Sequence, residues 1–454
     1  MNRPRSPDPW RLLEALRAFG ADSMSFLALE SEMRCWESPG PGATPGSMVA
    51  YVDTGRAWVA AGSPLAAPSR LAETAHAFVQ EAKKRRRRAC FFACEARALP
   101  GFSRLLLGEQ PVWTPASWRV NVATHRRLRE QIRRAAAKGV VVRRVAPSDL
   151  AAGTPLRVRV DSLARAWLAT RRMAPMGFLV AMEPFHAPEE HLYFVAEREG
   201  ELVQFMSAVP VYARPGWLLE DVARSPGAPN GTTEALLDRL MREVGEDETV
   251  TLGLAPLSGP VSRWLRVARF VSRPMFDFAA LRSFRQRLRP LRWEGVWLFY
   301  SEGDHPAVHL LDCLRAFARG SLVSFGIRTI ARRPSGPPWA LALPLAPWTL
   351  LLAALTTTGH ARVIGFSTPA LAGWAGFDAI LSVLLFWTAL RPKRSRLALA
   401  AAAAWVDAAA SVPHLAVTGL GEGVASHGLR LLAAIAPCLA AGILGWLALR
   451  STRP

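Results

Sequence analysis

Up to Tyr300 the chain switches repeatedly between two hydrophobic periods, that of a strand and that of a helix. Met48 to Ala61, MVAYVDTGRAWVAA, has two apolar runs around Asp53-Thr54-Gly55 and predicts a hairpin. Pro68 to Lys84 carries a helical period, and Cys90 to Cys94 is an apolar strand. Residues 111–122, rich in Pro and Trp, read as a link. His125 to Lys138 predicts a helix with a narrow apolar stripe of Leu128, Ile132 and Ala135 or Ala136. Arg126, Arg127, Arg129, Arg133, Arg134 and Lys138 cover the rest of it, and Gly139 stops it. Val140 to Val145 is a strand. Leu156 to Arg172 is an amphipathic helix that buries Val160, Leu163 and Trp167. Three strands follow, at His191–Glu197, Leu202–Val209 and Trp217–Ala223. Leu281 to Leu288 is a helix and Gly295 to Tyr300 a last strand.

The most informative stretch is Trp217 to Ser258. An apolar strand ending in Glu220, Asp221 and Arg224 runs into a loop of Ser, Pro, Gly and Asn at 225–231. Thr232 or Thr233 can cap the helix that follows, whose apolar face is Ala235, Leu236, Leu240 and Met241. Val250 to Ala255 is a second strand. Strand, loop, helix and strand make a βαβ unit, so the two strands should be parallel neighbours. The loop puts backbone N–H groups of Asn230, Gly231 and Thr232 at a helix N-terminus, where anions bind. Strand alternation puts Asp221 on the face of Leu219 and Ala223 and turns Glu220 to the opposite face, towards an arginine.

After Arg333 the pattern changes. Pro338–Thr358, Leu371–Leu390, Leu397–Thr418 and Leu429–Leu449 are apolar segments, each near the ~20 residues that span a bilayer. Arg328, Arg332 and Arg333 precede the first segment. Arg391, Lys393, Arg394 and Arg396 lie between the second and third, and Arg450 and Arg453 follow the fourth. The other two loops hold only Arg362 as a fixed positive charge. The positive-inside rule then expects a multi-pass protein of the cell (inner) membrane, with both termini and the soluble part in the cytoplasm.

Composition adds partners. The formal net charge of +20 favours nucleic acid or an anionic membrane surface. Arginine suits phosphate because its planar fork binds two oxygens, so the 125–138 helix points to nucleic acid. The basic run from Lys83 to Arg88 fits lipid or plain solvation about as well. Cys35, Cys90, Cys94, Cys313 and Cys438 form no CxxC pair and no zinc spacing, which reads as a reducing compartment with no metal and no cofactor. His186 and His191 flank Pro188 and read as structural or exposed. The N-terminus has no signal-peptide pattern.

The sheet with a loop feeding a helix suggests an N-acetyltransferase-like layout, although Pro229 removes a donor that a coenzyme A loop would use. Several segments resemble the soluble catalytic domain of the phosphatidylglycerol lysyltransferases, the multiple peptide resistance factor family. They are RRLREQIRRAAAKG at 126–139, WLATRRMAPMGF at 167–178, EDVARSPGAPNGTTEALLDRLM at 220–241, LGLAPLS at 252–258 and FAALRSFRQRLRPLRWEGVWLFY at 278–300. The resemblance implies an α+β soluble part of two tandem N-acetyltransferase-like (GNAT) folds with mixed sheets, here followed by a four-helix transmembrane segment. The corresponding divisions are 1–115, 116–305 (the catalytic half), a basic linker at 306–337, and 338–454. It implies a membrane-anchored aminoacyltransferase that moves a lysyl or similar group from aminoacyl-tRNA to phosphatidylglycerol or a related anionic lipid. Asp221 and Arg224, with Glu220 beside them as a further catalytic candidate, match its functional Asp and Arg. Asn230, Gly231 and Thr232 would bind substrate, and Arg126, Arg129, Arg133 and Arg134 match its tRNA-binding helix. The alternatives are an acyl-coenzyme A-dependent acyltransferase on the same fold, or a non-enzymatic membrane scaffold that binds RNA or lipid.

Overall fold

The computed structural model describes residues 9–38, 46–95, 98–171, 173–272, 276–331, 367–390 and 394–418, with isolated positions between 345 and 357 and between 437 and 444. The chain forms two compact units. One holds Met1–Arg171 and Pro175–Leu322, the other Arg172–Ala174 and Val323–Pro454.

The strands of the first unit are β1 (Arg34–Glu37), β2 (Met48–Asp53), β3 (Ala57–Ala61), β4 (Arg88–Cys94), β5 (Phe102–Trp113) and β6 (Val140–Val145). They continue as β7 (Leu192–Arg198), β8 (Glu201–Val211), β9 (Gly216–Arg224), β10 (Thr249–Thr251), β11 (Ala255–Pro256) and β12 (Arg292–Ser301). Its helices are α1 (Pro9–Phe19), α2 (Leu71–Lys84), α3 (Pro115–Thr124), α4 (Arg126–Ala137), α5 (Pro155–Ala169), α6 (Thr232–Glu243), α7 (Arg263–Val271), α8 (Phe278–Arg287) and α9 (Pro306–Phe317), while α10 (Leu322–Ala331) belongs, after its first residue, to the second unit. Among the described residues all strands join one mixed sheet in the order β1-β2-β3-β4-β12-β5-β10-β9-β8-β7-β6, with β11 on β5.

One unit occurs twice in it. An antiparallel pair, β2–β3, leads through α2 into the parallel strand β4. The antiparallel pair β8–β9 leads through α6 into the parallel strand β10. The hairpin at 48–61 and the βαβ unit around α6 are therefore where the hydrophobic pattern puts them. The last strand, β12, lies between β4 and β5, antiparallel to both. It thus ties the two halves of the sheet together.

Two sequence expectations are corrected. Residues 111–122 are no link: Pro111 to Trp113 finish β5, and Thr114 then caps α3 through Ser117 with Pro115 at its first turn. The strand expected over 250–255 divides into β10 and β11. Gly253 turns the chain with φ of +64°, and β11 then pairs with Glu109 and Gly108 of β5.

The sheet is covered on both faces. On one, Met206, Ala208, Leu219 and Val222 pack with Leu236, Leu237 and Leu240 of α6 and with Leu128 and Ala135 of α4. On the other, Val209 and Leu218 join one cluster, while Phe205 and Ala223 pack with Val160 and Leu163 of α5.

In the second unit, α11 (Thr368–Leu390) and α12 (Arg394–Thr418) pack through Leu381, Leu385, Ala400, Ala401 and Ala404. Among the described residues one helical stretch, Pro369–Thr388, is long and apolar enough to cross a membrane. The apolar segment 397–418 is helical but Ala-rich. Segments 338–358 and 429–449 lie largely outside the described residues.

Candidate active site

The site begins with a break in strand register. Met206 opposes Val222 and Ala208 opposes Leu219. Glu220 and Asp221 together therefore stand against Ser207 alone, which makes a β-bulge. Ser207 Oγ accepts the Asp221 N–H at 3.3 Å. A bulge resets side-chain alternation. Leu219 and Val222 face α6, whereas Leu218 and Ala223 face the opposite side. Glu220 and Asp221 both fall on the side of Leu218 and Ala223. The expectation of opposite faces, with Leu219 beside Asp221, is overturned here. So is the arginine partner for Glu220, whose neighbours are His191 (Nε2 to Oε2, 3.1 Å) and His186 (Nε2 to Oε1, 3.8 Å).

The shared face gathers acids from distant parts of the chain. Glu30 follows a short 3₁₀ turn at Ser25–Leu29, and its Oε2 accepts the Leu179 N–H at 3.3 Å. Glu183 accepts from the N–H and hydroxyl of Ser31, at 3.0 and 2.8 Å. Among the described residues no Arg or Lys pairs with Glu30, Glu183, Glu220 or Asp221. The consequence is electrostatic. Burial pushes the Asp221 carboxyl well above its ordinary range, and the negative charges of Glu220, Glu30 and Glu183 push it further. Burial, then Glu220 and Glu183, raise Glu30 to about 8. One Asp221 oxygen, Oδ2, is buried and accepts no hydrogen bond.

Glu30 supplies a stability prediction. Its folded value of about 8 stands above the ordinary 4.5, so the folded state holds the proton more tightly than the unfolded chain. Stability from this group is greatest below about 4.5 and falls as pH rises to about 8, by about 1.4 kcal/mol per unit. Glu30→Gln removes that loss. The variant should melt progressively higher than the parent between pH 5 and pH 8, with the gap closing at the acid end. A gap that does not change with pH would show that Glu30 ionises in the folded protein without cost.

The other expected site residues have partners outside this cluster, and those on α4 and α6 belong to the helices that cover the opposite face of the sheet. Arg224 donates through one Nη to the carbonyls of Ala228 (2.8 Å) and Pro229 (3.2 Å), so here it braces the loop; its Nε is buried and unpaired. Asn230 is exposed. Gly231, at φ of +95°, is the N-cap of α6, and no side chain caps that helix. The caps expected from Thr232 or Thr233 do not form. Thr232 Oγ1 donates to Pro229 O at 2.8 Å, and Thr233 bonds to Gln204. On α4, Arg126, Arg129, Arg133 and Arg134 are exposed. Arg129 is anchored on the carbonyls of Val122 and Ala123, and Arg133 pairs with Glu130 at 3.1 Å. Arg126, Arg127 and Arg134 have no ion pair among the described residues.

Glu30, Glu183, His186 and His191 are the members that the sequence pattern does not select. The two histidines near a turn are the one signal, and their side chains are only 12% and 0% exposed. Phe26 lies edge-on to His191, and Tyr193 stacks on it.

A twice-repeated strand–helix–parallel-strand unit, with a bulged strand feeding an uncapped helix, is the layout of an N-acetyltransferase-like fold. The phosphatidylglycerol lysyltransferase C-terminal family matches residues 13–300, and the chain belongs to that family. It is 27% identical over 167 residues to the phosphatidylglycerol lysyltransferase of Bacillus subtilis, covering 34% of this chain and 19% of that protein. It is 28% identical over 208 residues to the lysylphosphatidylglycerol biosynthesis bifunctional protein LysX of Mycobacterium leprae, covering 44% of this chain and 16% of that one. The matched part is thus under a fifth of either relative. Among solved structures, L-PGS from Bacillus licheniformis superposes with a TM-score of 0.60 at 21% identity, covering 70% of this chain and 99% of that one. The C-terminal domain of a putative lysylphosphatidylglycerol synthetase from Agrobacterium fabrum gives 0.58 at 20%, covering 69% and 98%.

Proposed function

We propose that this protein is a membrane-anchored aminoacyltransferase that moves an aminoacyl group from aminoacyl-tRNA to the hydroxyl of phosphatidylglycerol or a related anionic lipid. The observation that carries the reading is the group of Glu30, Glu183, Glu220 and Asp221, which buries Glu30 and Asp221 and pairs, among the described residues, with no arginine or lysine. Such a pocket is complementary to a substrate ammonium, and an aminoacyl ester carries its α-ammonium next to the reacting carbonyl. Coenzyme A would instead need a pyrophosphate grip. Pro229 lacks the donor and Arg224 is spent on the loop carbonyls, which disfavours the acyl-coenzyme A alternative.

In the reaction the lipid oxygen attacks the ester carbonyl carbon and the ribose oxygen leaves. Asp221 takes the proton from the lipid hydroxyl and returns it to the ribose oxygen, so no net proton is consumed. Burial and its acid neighbours favour the protonated Asp221 in the free protein, and the substrate's α-ammonium beside it restores the carboxylate that acts as base. Glu30 and Glu183 face the α-ammonium. The uncapped first turn of α6, at Asn230 to Thr232, stands beside phosphate, in a loop that Arg224 braces through the Ala228 and Pro229 carbonyls. The exposed arginines of α4 supply a track for the tRNA backbone. The ester is already activated, so positioning supplies much of the rate.

The membrane part of the proposal rests on the apolar helix Pro369–Thr388 and on the arginine asymmetry of the four apolar segments. It puts both termini and the catalytic unit in the cytoplasm. The test is direct. Expression of the full chain should produce a new ninhydrin-positive lipid in membrane extracts, and purified protein should form it from charged tRNA and phosphatidylglycerol vesicles. Formation from acyl-coenzyme A, with charged tRNA inert, would reject the reading in favour of the alternative.

A further inference from the structure

His186, His191 and Glu220 have a geometry that the acid pocket alone does not explain. His186 Nδ1 lies 2.6 Å from Glu183 O, and His191 Nδ1 lies 3.1 Å from Ala187 O. A carbonyl oxygen only accepts, so each Nδ1 carries the proton. Each neutral ring then turns a lone pair at Nε2 towards Glu220. A lone pair facing a carboxylate oxygen at 3.1 Å is repulsive unless something positive stands between them. His186 Nε2 and Glu220 Oε1 are both buried and have no hydrogen-bond partner. The Glu220 side chain is 4% exposed and that of His191 is 0% exposed.

We infer that these three residues form a binding site for a divalent d-block cation of the zinc class. Zinc takes imidazole nitrogens at ~2.0–2.1 Å and carboxylate oxygens at about 2.0–2.2 Å, so its tetrahedral ligand atoms lie roughly 3.3 Å apart. His191 Nε2 lies 3.1 Å from Glu220 Oε2 and His186 Nε2 lies 3.8 Å from Glu220 Oε1, and one ligand atom from each residue lies within 4.8 Å of the others. Small rotations of the side chains close the set. The second shell is in place as well: metal-bound histidines usually donate their other ring N–H to a backbone carbonyl or a carboxylate, and both rings do so. Tyr193 and Phe26 fix the His191 ring by stacking and edge contact. His186 is partly exposed, which gives an ion a way in. A cation also answers the local surplus of negative charge from Glu30, Glu183 and Asp221. Two nitrogens and one oxygen leave a fourth position for water or a substrate oxygen, the pattern of an open rather than a closed zinc site.

Spacing hides this site. The histidines are separated by four residues along a turn rather than on a helix, and Glu220 joins them only through the bulged strand. Two ring protons, making both histidines imidazolium, are the competing bridge.

The full chain, purified in detergent and stripped with a chelator, is titrated with ZnCl₂, passed through a desalting column, and its metal counted by mass spectrometry. One zinc per chain should be retained. His191→Asn and His186→Asn should each weaken retention roughly 100-fold or more, since even second-shell losses cost 10–100-fold. Cobalt(II) should give the intense visible bands of a four-coordinate site in the parent protein, a readout that needs no variant. Folded parent protein that retains no zinc, or variants of native circular dichroism that retain as much as the parent, would overturn the inference. Metal retention is read without a transfer assay, so its failure is distinct from failure of the aminoacyltransferase reading.

Discussion

Asp221→Asn is expected to reduce aminoacyl-lipid formation by roughly 10²–10⁴-fold, the contribution usual for a positioned acid–base group. The amide keeps the size of the side chain but cannot take the hydroxyl proton. Stability should not suffer. The parent carboxyl is buried, and its Oδ2 has no hydrogen-bond partner. Burial and three neighbouring carboxylates oppose its ionisation. A neutral amide escapes that opposition, so the melting temperature should hold or rise at neutral pH. Charged-tRNA binding should also persist, because the arginines proposed for it stand on α4. The measurements are transfer of labelled amino acid into lipid, the melting temperature, and filter binding of tRNA. Turnover near that of the parent would remove Asp221 from the chemistry and point to Glu220 on the same face.

The second large effect is structural. Gly231→Ala should destabilise the first unit by about 2–4 kcal/mol, combining the cost of a side chain at positive φ with that of forced overpacking. The backbone there has φ of +95°, and a Cβ would sit 2.0 Å from the carbonyl oxygen of Gln131 in α4. That contact is backbone against backbone, so no rotamer change relieves it. The variant should melt well below the parent and lose the packing of α4 on α6. A melting temperature within a degree of the parent would mean that α4 is not held against Gly231 in solution. The result also separates two uses of this glycine. The sequence offers it as an anion-binding N–H, while the structure adds close helix approach, which only Gly permits.

The contrast between these two residues shows where sequence reasoning stops. Asp221 is legible because an acid inside an apolar run, directly before a loop and a helix, is locally anomalous. The βαβ unit around it is legible too, since its parallel pairing follows from the order strand, helix, strand and the length of the crossover. The arginine-rich face of α4 and the hairpin at 48–61 are equally local, fixed by periods of 3.6 and 2 residues. None of these needs knowledge of what lies across the sheet.

The companions of Asp221 do need it. Whether Glu220 shares its face depends on one extra residue in β9 opposite Ser207 of the neighbouring strand, and strand alternation by itself gives the wrong answer. Glu30 lies 191 positions away, and nothing in its own neighbourhood distinguishes it from a surface glutamate. Only the packing of the turn before it against the sheet buries it, and burial is what raises its proton affinity. The same holds for β12, whose sequence announces a strand but not its place between β4 and β5. From local periodicity the chain determines its elements, their amphipathic faces and its charged helix, and its family is read from matching sequence segments. Register, bulge and long-range burial belong to the tertiary structure, because hydrogen-bond pairing and desolvation depend on which segments meet.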